Sequence, residues 1–400
     1  MQNKTFTSPI RNVWFLLILS LIFLAGCDKE KTPVEPTVEN KYLKDTTFIK
    51  NISKEEIVKM NPLFSAYSKY GVKVYKVTYN TTNTDGTPIT ASGAVIIPST
   101  NLDASMISVQ HGTITTDEEA PSNFASDSEA ASFGTIFGAM GYIIVYPDYI
   151  GYGASKDVPH PYEHRASLSS ACLDLLRATK EMLKSKPSVK WDQKLYLAGY
   201  SEGGYATMSL QKRIEEEAAS EFNLKASSCG AGAYDKTAFM KFIINSPTLG
   251  VASYNSLYLW VLLTYDRIYK LNKPATYYFK DPYAAQIAQL GIKNPINVSF
   301  NLILNDSFKT ALNSGADTGF INAIGDNDVY NWKPKTPTRL FHGDADPLVF
   351  YFNSVNAATA MKKLGAADVE LITVQGGTHS TSITTFLLGT LGFFQDAKYR

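Results

Sequence analysis

Residues 195–204 read Leu-Tyr-Leu-Ala-Gly-Tyr-Ser-Glu-Gly-Gly. The apolar run 195–198 has the character of a buried strand, and residues 203–217 have helical spacing. Ser201 therefore falls in a tight turn from strand to helix, inside a Gly-x-Ser-x-Gly pattern. The glycines have a mechanical role there. The turn holds Ser201 in a strained conformation, and a side chain at 199 or 203 is expected to collide with the neighbouring strand or helix. Beyond the turn, the start of the helix sets amide N–H groups and the positive end of a helix dipole beside the serine hydroxyl. Working outward, short apolar runs alternate with helices. Upstream lie strands at 106–110 and 142–146, a helical stretch 127–140, and a helix 166–184 with Leu168, Cys172, Leu175 and Leu176 on one face. Downstream, 224–229 is a strand. The pattern resumes with a strand at 339–341, a helix at 354–364, a strand at 369–374 and a terminal helix from Thr381. A helical lead-in at 53–70 and a strand-turn-strand pair about Asn83–Gly86 precede all of this. The alternation specifies an α/β fold with a mostly parallel sheet and helices on both faces.

A serine hydroxyl is a weak nucleophile and requires a base that is itself oriented by an acid. The strand–elbow–helix unit resembles the α/β-hydrolase fold, whose chain order is nucleophile, acid, base. Of the five histidines, His111, His160 and His164 precede Ser201, and His342 opens the stretch that carries the acid. His379 remains, in Gly376-Gly377-Thr378-His379 between the last strand and the last helix. The acid comes from His342-Gly343-Asp344-Ala345-Asp346-Pro347, where the H-G-x-x-D arrangement selects Asp346 and leaves Asp344 as a turn residue. Donors for a developing oxyanion are the backbone N–H of Glu202 and that of Gly112 or Thr113, which follow the strand 106–110. Asp148, in the loop after 142–146, is the rival for the second position.

Residues 235–335 are too long for an ordinary α/β connection, which runs to ~2–6 residues. They are helical in pattern and rich in aromatics: Phe239, Phe242, Tyr254, Tyr258, Trp260, Tyr265, Tyr269, Tyr277, Tyr278 and Phe279. We read them as a helical cap over the carboxyl ends of the strands, with some of its rings lining an apolar acyl channel. The hydrolase core is then 51–234 and 336–400, interrupted by the cap.

GYSEGG at 199–204, YPDYIGYG at 146–153, HGDAD at 342–346, the late His379 and an insertion before the acid strand together resemble the secretory lipase family. That resemblance implies hydrolysis of carboxylic esters, lipid esters included, by a Ser201–Asp346–His379 triad beneath a cap. It also implies an aspartate, here Asp148, near the oxyanion. It calls for no cofactor and no metal.

The N-terminus departs from the family pattern. Lys4 and Arg11 precede an apolar run at 13–24, which is too short to span ~30 Å of hydrocarbon at 1.5 Å per residue. The run ends in Leu24-Ala25-Gly26-Cys27, which resembles the lipobox of bacterial lipoproteins. This implies a signal peptide over 1–26, lipidation of Cys27, a tether at 27–50 and a place in the bacterial cell envelope, on the outer membrane or cell surface. With Cys27 acylated, Cys172 and Cys229 are left, either as buried thiols or as a disulfide.

Composition narrows the function. The chain has 38 basic and 37 acidic residues and a formal charge of +1, so no basic field exists to hold nucleic acid. Three readings stay open: an esterase or lipase, a serine peptidase of the prolyl oligopeptidase kind, and a non-enzymatic surface lipoprotein. The peptidases usually carry a β-propeller ahead of the hydrolase domain, and no blade-length repeat occurs here. Within the esterase reading, deacylation of plant cell-wall glycans is the alternative to lipid esters.

Overall fold

The computed structural model describes residues 40–60, 62–186 and 189–396. The signal peptide, the lipobox and Cys27 lie outside the described residues. Among the described residues, nine strands form one sheet: β1 (Leu43–Ile52), β2 (Val72–Thr82), β3 (Pro88–Pro98), β4 (Asp103–Gln110), β5 (Ile143–Pro147), β6 (Lys190–Tyr200), β7 (Asn223–Gly230), β8 (Thr338–Gly343) and β9 (Val369–Val374). Their spatial order is β1-β2-β3-β5-β4-β6-β7-β8-β9. The first three strands and the β3–β5 pair run antiparallel; from β5 across to β9 every pairing is parallel. The chain leaves β4 toward β5 and returns to the other side of β4 as β6. The carboxyl ends of β4 and β6 thus flank a topological switch point, where open α/β sheets place their ligands.

Among the described residues, twelve α-helices precede the last strand and one follows it. Before the insertion come α1 (Lys54–Met60), α2 (Thr135–Ala139), α3 (Arg165–Lys184) and α4 (Glu202–Glu217). The insertion holds α5 (Lys236–Asn245), α6 (Ala252–Ile268), α7 (Ala275–Tyr278), α8 (Tyr283–Leu290), α9 (Phe300–Ile303), α10 (Asp306–Ser314) and α11 (Thr318–Asp326). After β8 come α12 (Phe352–Lys363) and α13 (Ile383–Gln395). One face of the sheet packs on α3, α4 and α12 through Val95, Met106, Leu195 and Leu197, among others. The other face packs through Ile96, Ile107, Tyr196 and Ala198 on α2, α13 and the segment before α2. The insertion has a separate core in which Tyr278, Phe279, Phe300, Phe308 and Phe320 are fully buried.

Three local readings change. The tether was expected to run to residue 50, yet Leu43–Ile52 is a strand paired antiparallel with β2. Only Ile52 in it is fully buried, so an edge position left no alternating apolar signal. Its start is held by Glu181, whose carboxylate accepts from the N–H groups of Lys41, Tyr42 and Leu43. The helical lead-in is shorter than 53–70: α1 ends at Met60 and a 3₁₀ turn covers Pro62–Phe64. Proline disfavours helical backbone in the residue before it. The stretch read as a helix over 127–140 begins with a π turn, Ala130–Gly134, before α2. Cys172 and Cys229 are buried free thiols, one in α3 and one in β7; burial pushes the Cys229 thiol up to about 12.

Candidate active site

Ser201 sits between β6 and α4 with φ of 61° and ψ of −123°, a conformation unusual for a residue with a side chain. The strain is imposed by close packing. A Cβ on Gly199 would lie 2.3 Å from the carbonyl oxygen of Gly203, and one on Gly203 only 2.1 Å from that of Gln110 at the end of β4. Both collisions anticipated from the sequence are therefore present. The Ser201 N–H donates to Gly230 O (2.9 Å), locking the elbow to the neighbouring strand.

Two further strand ends bring the partners. His379, in the loop between β9 and α13, lies with Nε2 2.8 Å from Ser201 Oγ. Its Nδ1 is 2.7 Å from Oδ2 of Asp346, just after β8. The Asp346 carboxylate is wholly buried and fully engaged. Its Oδ1 accepts from the N–H groups of Leu348 (2.9 Å) and Val349 (3.0 Å), and His342 Nε2 approaches Oδ2 at 3.3 Å. Burial alone raises its pKa, but the hydrogen bonds from His342 and His379 outweigh it and bring the group down to about 2. Asp346 is thus ionised at neutral pH.

Asp344 is exposed, and its Oδ1 accepts from Gly376 N–H (2.6 Å). It ties down the histidine loop, rather than bonding its own turn as the sequence suggested. Tyr200 supports the same loop by donating to His379 O (2.7 Å).

The oxyanion candidates separate. Glu202 is the first residue of α4, so no carbonyl four residues back takes its N–H. The Gly112 N–H is committed to Glu129 Oε1 (3.1 Å). The Asp148 carboxylate, fully buried, accepts from Ser92 Oγ (2.5 Å) and Ser122 N–H (2.7 Å), and its own N–H donates to Ser92 O. Burial pushes that carboxyl up from its ordinary range. Gly112 and Asp148 are thus engaged elsewhere, while the Thr113 hydroxyl meets that of Tyr162 at 2.9 Å.

Several neighbours left no readable trace in the sequence. The Glu202 side chain turns away from the nucleophile and meets His160 Nε2 at 2.8 Å, both groups buried. His160 Nδ1 donates to Ile150 O (2.6 Å), so this pair fastens the loop after β5 to the first turn of α4. Glu163 and Lys236 form a second buried ion pair, with the Lys236 ammonium 4.2 Å from the Tyr205 ring centroid. Burial pushes the Glu163 carboxyl up and the Lys236 ammonium down, and each is partly restored by the other. His342 stood in plain view before the acid. Val349 O, 2.7 Å from its Nε2, can only accept, which fixes the proton on that nitrogen.

The cap is seated by Tyr258, which donates to Leu348 O (2.9 Å), and Tyr265, which donates to Glu163 O (3.0 Å). Phe239, Tyr258 and Tyr265 line a cavity that reaches Ser201, together with Glu163 and Lys236. Its water-accessible volume is about 30 Å³, a narrow slot at the nucleophile lined by aromatic rings of the cap. Trp260 stacks on Tyr162 (4.5 Å between centroids) behind that wall, whereas Tyr277, Tyr278 and Phe279 belong to the cap's own core. A second cavity, of about 240 Å³, reaches Ser201 and His379 from the other side, between the sheet and helices α2 and α13.

The sequence matches the secretory lipase family over residues 136–391, a span that includes the elbow, the cap, the acid and the late histidine. The chain belongs to that family. As a secretory lipase it is a hydrolase acting on esters. Among curated proteins no relative matches. Solved structures share the fold. A Legionella pneumophila chain described as a hydrolase aligns at 24% identity and a TM-score of 0.78, covering 89% of this chain and 99% of its own. The rice cell wall degrading esterase LipA from Xanthomonas oryzae aligns at 24% identity and 0.75, over 90% and 100%. Candida antarctica lipase A in its closed state aligns at 17% identity and 0.64, over 90% and 82%. At these identities the likeness concerns the fold alone.

Proposed function

We propose that this secretory lipase hydrolyses carboxylic esters through an acyl-enzyme on Ser201, with His379 as general base and acid and Asp346 as its orienting carboxylate. The observation that carries the reading is the unbroken chain of hydrogen bonds Ser201 Oγ–His379 Nε2 and His379 Nδ1–Asp346 Oδ2. Ser201 Oγ attacks the ester carbonyl carbon and its proton passes to His379 Nε2. The amides of Glu202 and Thr113 receive the oxyanion. As the carbon–oxygen bond to the alcohol breaks, the alcohol oxygen takes the proton from His379. Water then attacks the acyl-serine, gives a proton to His379, and the carboxylic acid leaves as the proton returns to Ser201.

The narrow slot under the cap favours short acyl groups. Acetylated plant glycan belongs beside simple esters in any substrate panel, since one structural neighbour is described as degrading rice cell wall. The expected result is turnover of 4-nitrophenyl acetate and butyrate with no cleavage of a glycyl-prolyl anilide. Faster release of aniline than of nitrophenol would overturn the esterase reading in favour of a peptidase.

Cys27 is the proposed lipid anchor. No helix among the described residues is long and apolar enough to cross a membrane. One acyl chain gives only marginal binding, and stable attachment takes more than one signal. Metabolic labelling with a fatty-acid probe should mark the wild type and be lost in Cys27→Ser. A probe still attached to the variant refutes the anchor.

A further inference from the structure

We infer that the trough between α2 and α13 binds the alcohol portion of the ester, and that this portion is an apolar chain. The inference rests on Ser201 being the nucleophile and goes on to divide the substrate between two cavities. Both cavities touch Ser201, but only the trough is also lined by His379. A leaving alcohol oxygen must lie against His379 Nε2 to take up its proton, so the alcohol portion passes along the imidazole. The acyl portion is left with the slot under the cap.

The size and chemistry of the two spaces agree with this division. The slot has about 30 Å³ and the trough about 240 Å³. The trough thus offers about eight times the water-accessible space of the slot. The trough is walled by Ile107 and Val109 of β4, Phe133 and Phe137, and Ile383 and Leu387 of α13. Its polar groups have partners within the protein. Gln110 bonds Ser108 (2.7 Å) and Thr207 (2.8 Å); the Glu129 carboxylate accepts from Gly112 N–H and the Tyr146 hydroxyl (3.1 Å each). Thr390 bonds Ser228 (2.6 Å). The remaining wall is mostly carbon, which suits an alkyl chain better than a sugar alcohol. Phe133, Phe137, Ile383 and Leu387 are half-buried, so the far side of the trough is open to an entering chain.

The test compares two ester series on the full-length enzyme: n-alkyl acetates from ethyl to decyl, and ethyl esters of the acids from acetic to decanoic. The wild type should show kcat/KM rising about tenfold or more from ethyl to octyl acetate and then levelling. In the acyl series it should fall beyond butyrate. Leu387→Trp fills the trough and should cut the octyl-to-ethyl ratio in the acetate series below about threefold. Phe137→Ala enlarges it and should move the plateau to longer alcohols. Because each readout is a ratio within one protein preparation, partial loss of folded enzyme does not imitate it. A flat acetate series in the wild type overturns the inference, as does an effect of both variants on the acyl series instead. If the wild type hydrolyses no ester at all, including ethyl acetate and 4-nitrophenyl acetate, the triad reading itself fails and takes this inference with it.

Discussion

Ser201→Ala should lower kcat on 4-nitrophenyl acetate by ~10⁴ or more. Removing one member of a nucleophile–base–acid unit costs nearly as much as removing all of it, because the remaining groups have nothing to activate. The substitution is conservative for the backbone. Alanine has the same Cβ as serine, so the 61° φ at the elbow is no more strained than before. His379, whose side chain is 15% exposed, regains a partner from water at Nε2. The loss therefore reports the missing oxygen and not a collapsed site. A fluorophosphonate should label the wild type at Ser201, as read by peptide mass, and leave the variant unlabelled. Labelling at an unchanged rate in Ser201→Ala would place the nucleophile elsewhere.

Asp346→Asn should cost about 10⁴ in kcat, while Asp344→Asn costs only a few-fold. The structure explains why the amide cannot substitute for the carboxylate. Leu348 and Val349 both donate to Oδ1, so the asparagine must leave its carbonyl oxygen there and turn its NH₂ to the place of Oδ2. That NH₂ then faces Nδ1 of His379, which must accept. The imidazole proton is driven to Nε2, where it points at Ser201 and blocks the ring from acting as a base. The His342 Nε2–H keeps Val349 O as acceptor but meets a donor, 3.3 Å away, in place of Oδ2. Asp344 makes a single bond to Gly376 N–H, and an asparagine carbonyl oxygen preserves it. Rate measurements on both variants against one aryl ester decide the matter. Losses of equal size would show that the loop contact of Asp344, and not the tautomer of His379, dominates.

Legibility in the sequence followed the range of the interactions. The elbow was readable because its strain, its glycines and its strand-to-helix setting all lie within ten residues. His379 and Asp346 were readable because chain order excluded the other histidines and because a short motif marks the acid. The division among Gly112, Thr113 and Asp148 was not readable. It depends on Glu129 claiming one amide, and on Ser92 and Ser122 claiming one carboxylate, over separations of 17 to 56 residues. The Glu163–Lys236 pair spans 73 residues and shows no periodicity. Strand β1 was missed for a different reason: an edge strand buries too little for composition to separate it from a tether. The cap's aromatics were visible, but which rings face Ser201 and which face one another is decided by packing.

The cap leaves the sheet at Gly230 and returns at Thr338, and these two strand segments are hydrogen-bonded neighbours in register, with Ser227 opposite Thr338 and Gly230 opposite Phe341. Because the two strands are parallel, the excursion leaves at the carboxyl edge and returns at the amino edge, and the three-residue ladder sets its ends only ~10 Å apart along the strands. The entropic cost of closing such a loop grows only with the logarithm of its length, about 0.6 kcal/mol for each doubling. Residues can be added to or removed from the excursion at small thermodynamic expense, while Ser201, Asp346 and His379 keep their positions on β6, β8 and β9. The insertion and the triad are thus separately adjustable parts of one chain, and a descendant enzyme can acquire a new roof without rebuilding the floor.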